Sequence, residues 1–393
     1  MSSFLHTDKT KIISDGRPIF LKGVNFGGWL MMEGYIMHAL NIAEQIFKKD
    51  FVKALGKEKL KEFERDFRAH FITEDDFRKV ASLGFNCLRL PFNYRLVKPG
   101  ASYDKEGLAI LDQAVAWAGK YRLWVILDLH AAWGAQNNDW HSDSLGQAKL
   151  WSNKSFQKKT VALWEFLADR YKNKEYVAGY DVLNEAVLTD TRLLNKFYAQ
   201  VIKAIRSVDR NHILFIEGNT WGQDITCLAD FEDNNLALSI HYYEPTEFTF
   251  NLIPHLSYQE SFNSHKIRSR MEGYKNIAEK WSRPIYVGEF GVNSRQAKYG
   301  EDRWVKDAVD CFNDLEFHWT YWTYKSVKNG HFPDGIFSYL NNPPWVNRQG
   351  PKLGWENYAA CWPTRRPEMI ESWYTKNFAA NTTILNVLTD ACH

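Results

Sequence analysis

From Thr73 to Thr323 the chain alternates between two hydrophobic patterns. In one, apolar residues recur every three to four positions, which predicts amphipathic helices at Glu74–Leu83, Lys105–Lys120, Lys154–Tyr171, Thr191–Val208, Ser264–Trp281 and Glu301–Asp314. In the other, short apolar runs lie between those stretches: Cys87–Leu90 (stopped by Pro91), Leu123–Leu129, Ala178–Leu183, His212–Ile216, Leu236–Ile240, Pro284–Val287 and Trp319–Thr323. With Leu21–Asn25 ahead of them, these make eight predicted strands. Strands that alternate with helices pair in parallel through crossovers. Eight such units predict an α/β fold, a closed (β/α)8 TIM barrel.

The flanking segments add to this frame. Lys11 to Ile19 reads as a small hairpin turning at Ser14–Pro18. Glu33 to His70 is longer than a usual strand-to-helix connection. Leu55, Leu60, Phe63 and Phe67 stand there at helical spacing, so we expect helices folded over one lip of the barrel, narrowing its mouth. The Lys/Glu-rich part, Lys48–Lys61, reads as a solvated helix face. The tail from Ile336 is loop-rich around Asn341–Trp345 and closes with a helix near Arg366–Phe378. No linker, repeat or composition shift divides the chain, and residues 1–393 read as one domain with a helical insertion after the first strand.

Composition narrows the chemistry. The net charge of +2 gives no electrostatic reason to expect nucleic acid or a membrane surface. No run reaches the roughly 18 apolar residues of a membrane span. Five scattered cysteines without a C-x-x-C pair exclude a disulfide framework and a zinc site. The N-terminus lacks a basic region followed by an apolar core, so a cytoplasmic address is expected, or a secreted one if a longer precursor carries a leader. The 16 tryptophans exceed ordinary core needs and suit a pocket that stacks on flat apolar faces, such as those of sugar rings. Oligomeric state is not legible.

The candidate chemistry lies where the strands end. Tyr180–Leu183 runs into Asn184-Glu185, and Pro284–Val287 runs into Gly288-Glu289. Arg89, Asp128-Leu129-His130, Glu217, His241, Tyr243 and Trp322 follow or end other strands. In a TIM barrel all those ends face one pocket. The fourth and seventh strands are expected on opposite sides, with their glutamates aimed at each other. Cutting a glycosidic bond needs one protonated and one ionised carboxyl group, about 5–5.5 Å apart in retaining enzymes and about 6.5–9.5 Å apart in inverting ones. Arg89 beside Glu289 would keep it ionised; burial and a nearby anion would keep Glu185 protonated.

The ordered set Arg89, His130, Asn184-Glu185, His241-x-Tyr243, Glu289 and Trp322 resembles glycoside hydrolase family 5, within the clan of retaining (β/α)8 glycosidases. That resemblance implies Glu185 as acid/base, Glu289 as nucleophile, Asn184 on the sugar 2-hydroxyl, Tyr243 and Arg89 orienting Glu289, and Trp322 flooring the sugar. His130 and His241 would line the pocket as hydrogen-bond donors. No cofactor and no metal are implied; the partner is a carbohydrate.

Two further stretches, Gly23-Val24-Asn25-Phe26-Gly27-Gly28-Trp29-Leu30-Met31-Met32-Glu33 and Asp128–Asn137, are similar to the exo-β-1,3-glucanase branch. By that likeness Glu33 and Asp139 grip the non-reducing sugar. The spacing after Asn137 departs from the branch by about one residue, which leaves sugar and linkage open. Of the remaining pocket candidates, Glu217 reads as support, while Trp133, Trp140, Trp221 and Trp345 divide between core and sugar platform. The expected activity is exo-hydrolysis of β-glucosides or β-mannosides by double displacement. An open-cleft endo-glucanase and a non-catalytic sugar-binding barrel are the alternatives.

Overall fold

A computed structural model describes residues 4–98, 100–328, 330–339 and 354–392, without the side chains of 260–261 and 354–357. Its first elements form an antiparallel sheet: β1 (His6–Asp8), β2 (Lys11–Ser14) and β3 (Arg17–Ile19). The expected hairpin is β2–β3, with β1 added on its open side. Eight parallel strands then close the barrel: β4 (Lys22–Asn25), β5 (Cys87–Asn93), β6 (Trp124–Ala131), β7 (Val177–Asp181), β8 (Ile213–Glu217), β9 (Leu236–Tyr242), β10 (Ile285–Phe290) and β11 (His318–Tyr321).

The helices are α1 (Glu44–Leu55), α2 (Lys57–Phe71), α3 (Glu74–Ser82), α4 (Lys105–Lys120), α5 (Lys154–Tyr171), α6 (Thr191–Val208), α7 (Ser264–Trp281) and α8 (Glu301–Asp314). A tail follows, with β12 (Lys325–Val327), β13 (Phe337–Tyr339), α9 (Gly354–Trp373), β14 (Ala379–Ala380) and α10 (Thr382–Asp390). The Asn341–Trp345 stretch lies outside the described residues.

Helices α4 to α8 begin and end where the periodicity places them. Short polar side chains explain several of the starts: Asp104, Asn153, Asp190 and Asn263 each accept a backbone N–H from the first turn of the helix they precede.

Pro91 does not stop its strand; it pairs with Asp128 two residues before β5 ends. In a parallel ladder one residue's N–H and C=O point the same way, and the Arg89 carbonyl accepts from Phe26 on the β4 side. The N–H that Pro91 lacks would point to that side, where β4 has already ended at Asn25. The proline therefore costs no ladder bond.

The N-terminal sheet closes the bottom of the barrel. Leu5 and Ile12 are fully buried in one cluster with Leu21, Ile126, Phe215 and Tyr286. Burying such a side chain contributes about 1.5–3 kcal/mol. Thr7 binds Asn234 and Asn235 at the start of β9, which fixes the sheet against the barrel.

Helices α1 and α2 form, but they lean outward on the tail. The Phe63 ring meets those of Phe47, Trp362 and Trp373 at 5.1–5.7 Å, and Arg366 on α9 pairs with Asp66 at 2.6 Å. Among the described residues, none from 38 to 71 lines the pocket at the barrel mouth; the insertion reaches it only through Glu33 and Tyr35. The expected narrowing by the helices is corrected accordingly. Lys48 also departs from a solvated face: it bridges Glu44 at 2.6 Å and Glu64 at 2.8 Å with little exposure.

Candidate active site

A pocket of about 630 Å³ opens at the C-terminal ends of the strands. Glu185 and Glu289 line it, buried to 6% and 5% exposure, with one carboxylate oxygen of each within 4.8 Å of the other. Their strands, β7 and β10, are three steps apart around the barrel, so they are not diametrically opposite. The turn after β7 corrects the aim, with Glu185 in the left-handed region at φ 47°.

Arg89, fully buried on β5, binds this half of the site from below. Its Nη1 lies 2.6 Å from Oε1 of Glu289, its Nε 2.8 Å from Asp181, and its Nη2 3.2 Å from both Asp128 and Glu217. Nη2 also donates to Asn184 Oδ1 at 2.8 Å, which leaves the buried Asn184 amide nitrogen without a protein partner. The Tyr243 hydroxyl donates to the other oxygen of Glu289 at 2.8 Å.

Two histidines carry charge here. Burial opposes protonation of His130, but Asp128 at 2.8 Å and Glu33 at 3.5 Å outweigh it and push the ring up to about 10. Burial likewise opposes protonation of His241, and Glu217, Glu289 and Glu185 hold it well above the ordinary imidazole range. His241 Nδ1 donates to Glu185 Oε1 at 2.7 Å and stands 3.6 Å from Glu289.

The two acids are driven apart. Burial pushes Glu185 up to about 7, with the Glu289 and Glu217 charges adding and His241 opposing. Burial would also raise Glu289, but the His241, Arg89 and His130 charges outweigh it and hold the carboxyl at about 2. Below neutrality one carboxyl keeps its proton and the other does not. Glu217 supports both sides: Oε2 accepts the Glu185 backbone N–H at 2.7 Å, while Oε1 faces Arg89. Glu185, His241 and Glu289 each offer a ligand atom within 4.8 Å of the others, and here His241 Nδ1 hydrogen-bonds Glu185 directly at 2.7 Å.

Trp322 follows β11 and stacks over His130, with centroids 5.5 Å apart and planes 7° from parallel. Its indole N–H donates to the Tyr35 hydroxyl. Tyr35, Trp140 and Phe332 then form a wall of mutually touching rings, 5.1–6.1 Å apart. Glu33 lies buried at the foot of the pocket, and Asp139, partly exposed, accepts the Trp221 indole N–H at 2.8 Å. Trp221 is 39% exposed on the rim. Trp133 packs on Tyr94 away from the pocket, and Trp345 lies outside the described residues.

Thus Glu33, His130, Asp139, Glu185, Tyr243, Glu289 and Trp322 line this pocket, and Arg89, Asn184 and His241 stand behind its glutamates. Eight lining residues were not foreseen: Tyr35, His141, Gln223, Glu244, Thr246, Phe250, Phe332 and Pro333. His141 stands in the stretch after Asn137 where the spacing departs from the related branch, and that departure was the available signal.

Comparison with known proteins agrees with this geometry. The family model described as Cellulase (glycosyl hydrolase family 5) matches residues 52–328. A beta-xylosidase of Phanerodontia chrysosporium is 33% identical over 342 residues, covering 83% of this chain and 71% of its own. Endoglucanase C of Acetivibrio thermocellus is 26% identical over 78% of this chain and 92% of its own. A probable glucan 1,3-beta-glucosidase A of Aspergillus clavatus is 28% identical over 69% and 64%. A Thermotoga maritima Cel5A structure with cellobiose shares the fold at a TM-score of 0.65 and 19% identity, covering 94% of this chain and 97% of its own.

Proposed function

This chain belongs to glycosyl hydrolase family 5, and from that membership we propose a retaining, exo-acting β-glycosidase that removes a terminal sugar from short oligosaccharides or glycoconjugates. The observation that carries the reading is the divergence of two carboxyls, Glu185 at about 7 and Glu289 at about 2, with oxygens within 4.8 Å. That separation suits the closer, about 5–5.5 Å, spacing of retaining enzymes.

Glu289 attacks the anomeric carbon while Glu185 gives its proton to the leaving oxygen. Water then enters, Glu185 takes its proton, and the sugar leaves with its β configuration kept. Arg89 and Tyr243 hold one oxygen of Glu289 each, so its lone pairs stay aimed. The unpartnered Asn184 amide donates to the sugar 2-hydroxyl, and Trp322 floors the ring. Glu33 and Asp139 grip the non-reducing sugar.

The wall of Tyr35, Trp140 and Phe332 supports exo-action, because it stands beside Trp322 where a longer chain would have to continue. β-Glucosides and β-mannosides are candidate substrates, and the names of the relatives add β-xylosides.

The test is Glu289→Ala with azide and the aryl β-glycoside that the wild type cuts fastest in a glucose, xylose and mannose panel. An α-glycosyl azide is expected; absence of rescue, or a β-azide, overturns the assignment. A second reading, endo-action, draws on Gln223 and Glu244, which border both this pocket and a groove along α7. A viscosity fall on β-glucan that outruns sugar release would favour it.

A further inference from the structure

The histidine that the sequence did not single out stands against the acid. His141 Nδ1 lies 3.2 Å from Oε2 of Glu185, and its Nε2 lies 3.1 Å from the Asn137 amide nitrogen. Asn137 Nδ2 is a donor, so Nε2 accepts and Nδ1, on the side of Glu185, carries the hydrogen; the tautomer follows from the network. The ring stays neutral, since burial and the nearby His130 charge hold it down at about 4. Glu185 thus receives an N–H from His241 on Oε1, while the His141 ring nitrogen stands 3.2 Å from Oε2. Charged His241 occupies Oε1, so the transferable proton belongs on Oε2, the oxygen that His141 orients.

The turn carrying His141 is held from the insertion. Asp143, in the left-handed region at φ 57°, ends that turn. Its carboxylate accepts the Gln45 backbone N–H at 2.8 Å, Arg95 Nε at 2.9 Å and Asn93 Nδ2 at 3.2 Å, and its carbonyl accepts the Gln45 amide at 2.5 Å. Asn93 donates in turn to buried Glu44, which Lys48 joins to Glu64 on α2. Asp143, Asn93 and Glu44 are buried, and leaving such a network half-satisfied is costly, which favours this position of the turn.

We infer that His141 is a positioning residue for Glu185, stabilising the anion left on Oε2 as the proton departs, and that the helical insertion exists in part to hold it there through Asp143. The inference rests on Glu185 being the acid. Other charged groups facing Glu185 are His241, Glu217 and Glu289, and those facing His141 are His130, Asp139, Glu289 and His241.

The test compares a phenyl β-glycoside, whose leaving group needs the proton, with the 2,4-dinitrophenyl glycoside, whose leaving group does not. His141→Ala is expected to lose about ten- to a hundred-fold in kcat/KM on the phenyl substrate and several-fold less on the other. Removing a donor to the carboxylate disfavours the anion, so the alkaline limb of the profile moves to higher pH. His141→Asn places an amide nitrogen where Nδ1 stands and restores both, whereas His141→Gln does not. If His141→Ala does not fold, His141→Gln takes its place. Gln45→Ala, which frees the Asp143 carbonyl, gives a weaker form of the same signature. Equal losses on both substrates with an unmoved limb, the result of a histidine kept for volume alone, overturn the inference. Glu185→Ala is run alongside: if it too slows both substrates equally, the acid assignment itself falls, and this inference with it.

Discussion

Arg89 Nη1 sits 2.6 Å from Oε1 of Glu289, with Asp128, Asp181 and Glu217 within 3.2 Å of the same guanidinium. One fully buried cation therefore serves four carboxyls. Burial and the Glu217 charge push Asp181 above the usual carboxylate range, against the pull of Arg89. Lysine cannot span these directions, because it lacks the planar fork. Arg89→Lys is expected to lower kcat/KM by at least about a hundred-fold, and with less positive charge beside Glu289 the acid limb should rise. Circular dichroism and a denaturant midpoint separate that loss from unfolding.

The pH profile should be one-sided near neutrality. Glu185 must hold a proton and titrates at about 7, so kcat/KM falls as pH rises through that value. Glu289 must be ionised and titrates at about 2, so its limb lies far to the acid side. A plateau from about pH 3 to 6 is expected wherever the protein stays folded. In Glu185→Gln, assayed with the dinitrophenyl glycoside, the alkaline limb should vanish.

Trp221 is exposed, so its stability cost on truncation should stay within about 0.5 kcal/mol. Trp221→Ala also frees Asp139 from the indole N–H. KM should rise about ten-fold for glycosides with a sugar as leaving group, with kcat little changed, because an indole face under a sugar ring contributes to binding and not to the chemical step. A loss confined to kcat would count against a role in binding.

Phe63 fills the seam between the insertion and α9, with rings of four side chains within 5.7 Å. Phe63→Ala is expected to cost about 3–5 kcal/mol, read from urea unfolding followed by tryptophan fluorescence. An unchanged midpoint would mean that the seam forms without it.

The barrel and its acids were legible because two periods are local properties of the chain. The helix pattern set the ends of α4 to α8, and the residues at the strand ends fell into one pocket because parallel strands share one direction. What stayed hidden depends on contacts far apart in sequence. His141 meets Glu185 across a turn whose course is set by Gln45, Asn93 and Arg95. The outward lean of α1 and α2 depends on Trp362 and Trp373, some three hundred positions away. Pro91 reads as a breaker until the early end of β4 is known.

The sheet β1–β3 covers the far end of a barrel whose interior is packed with side chains, so the pocket has no exit through the barrel and is entered from the strands' C-terminal ends alone. With the exo-action proposed above, traffic would be single file: the departing aglycone would have to clear the doorway before water or an acceptor could reach the glycosyl group behind it. Release comes in a fixed sequence, aglycone first and sugar second, and added free sugar should therefore compete directly with substrate for the same berth.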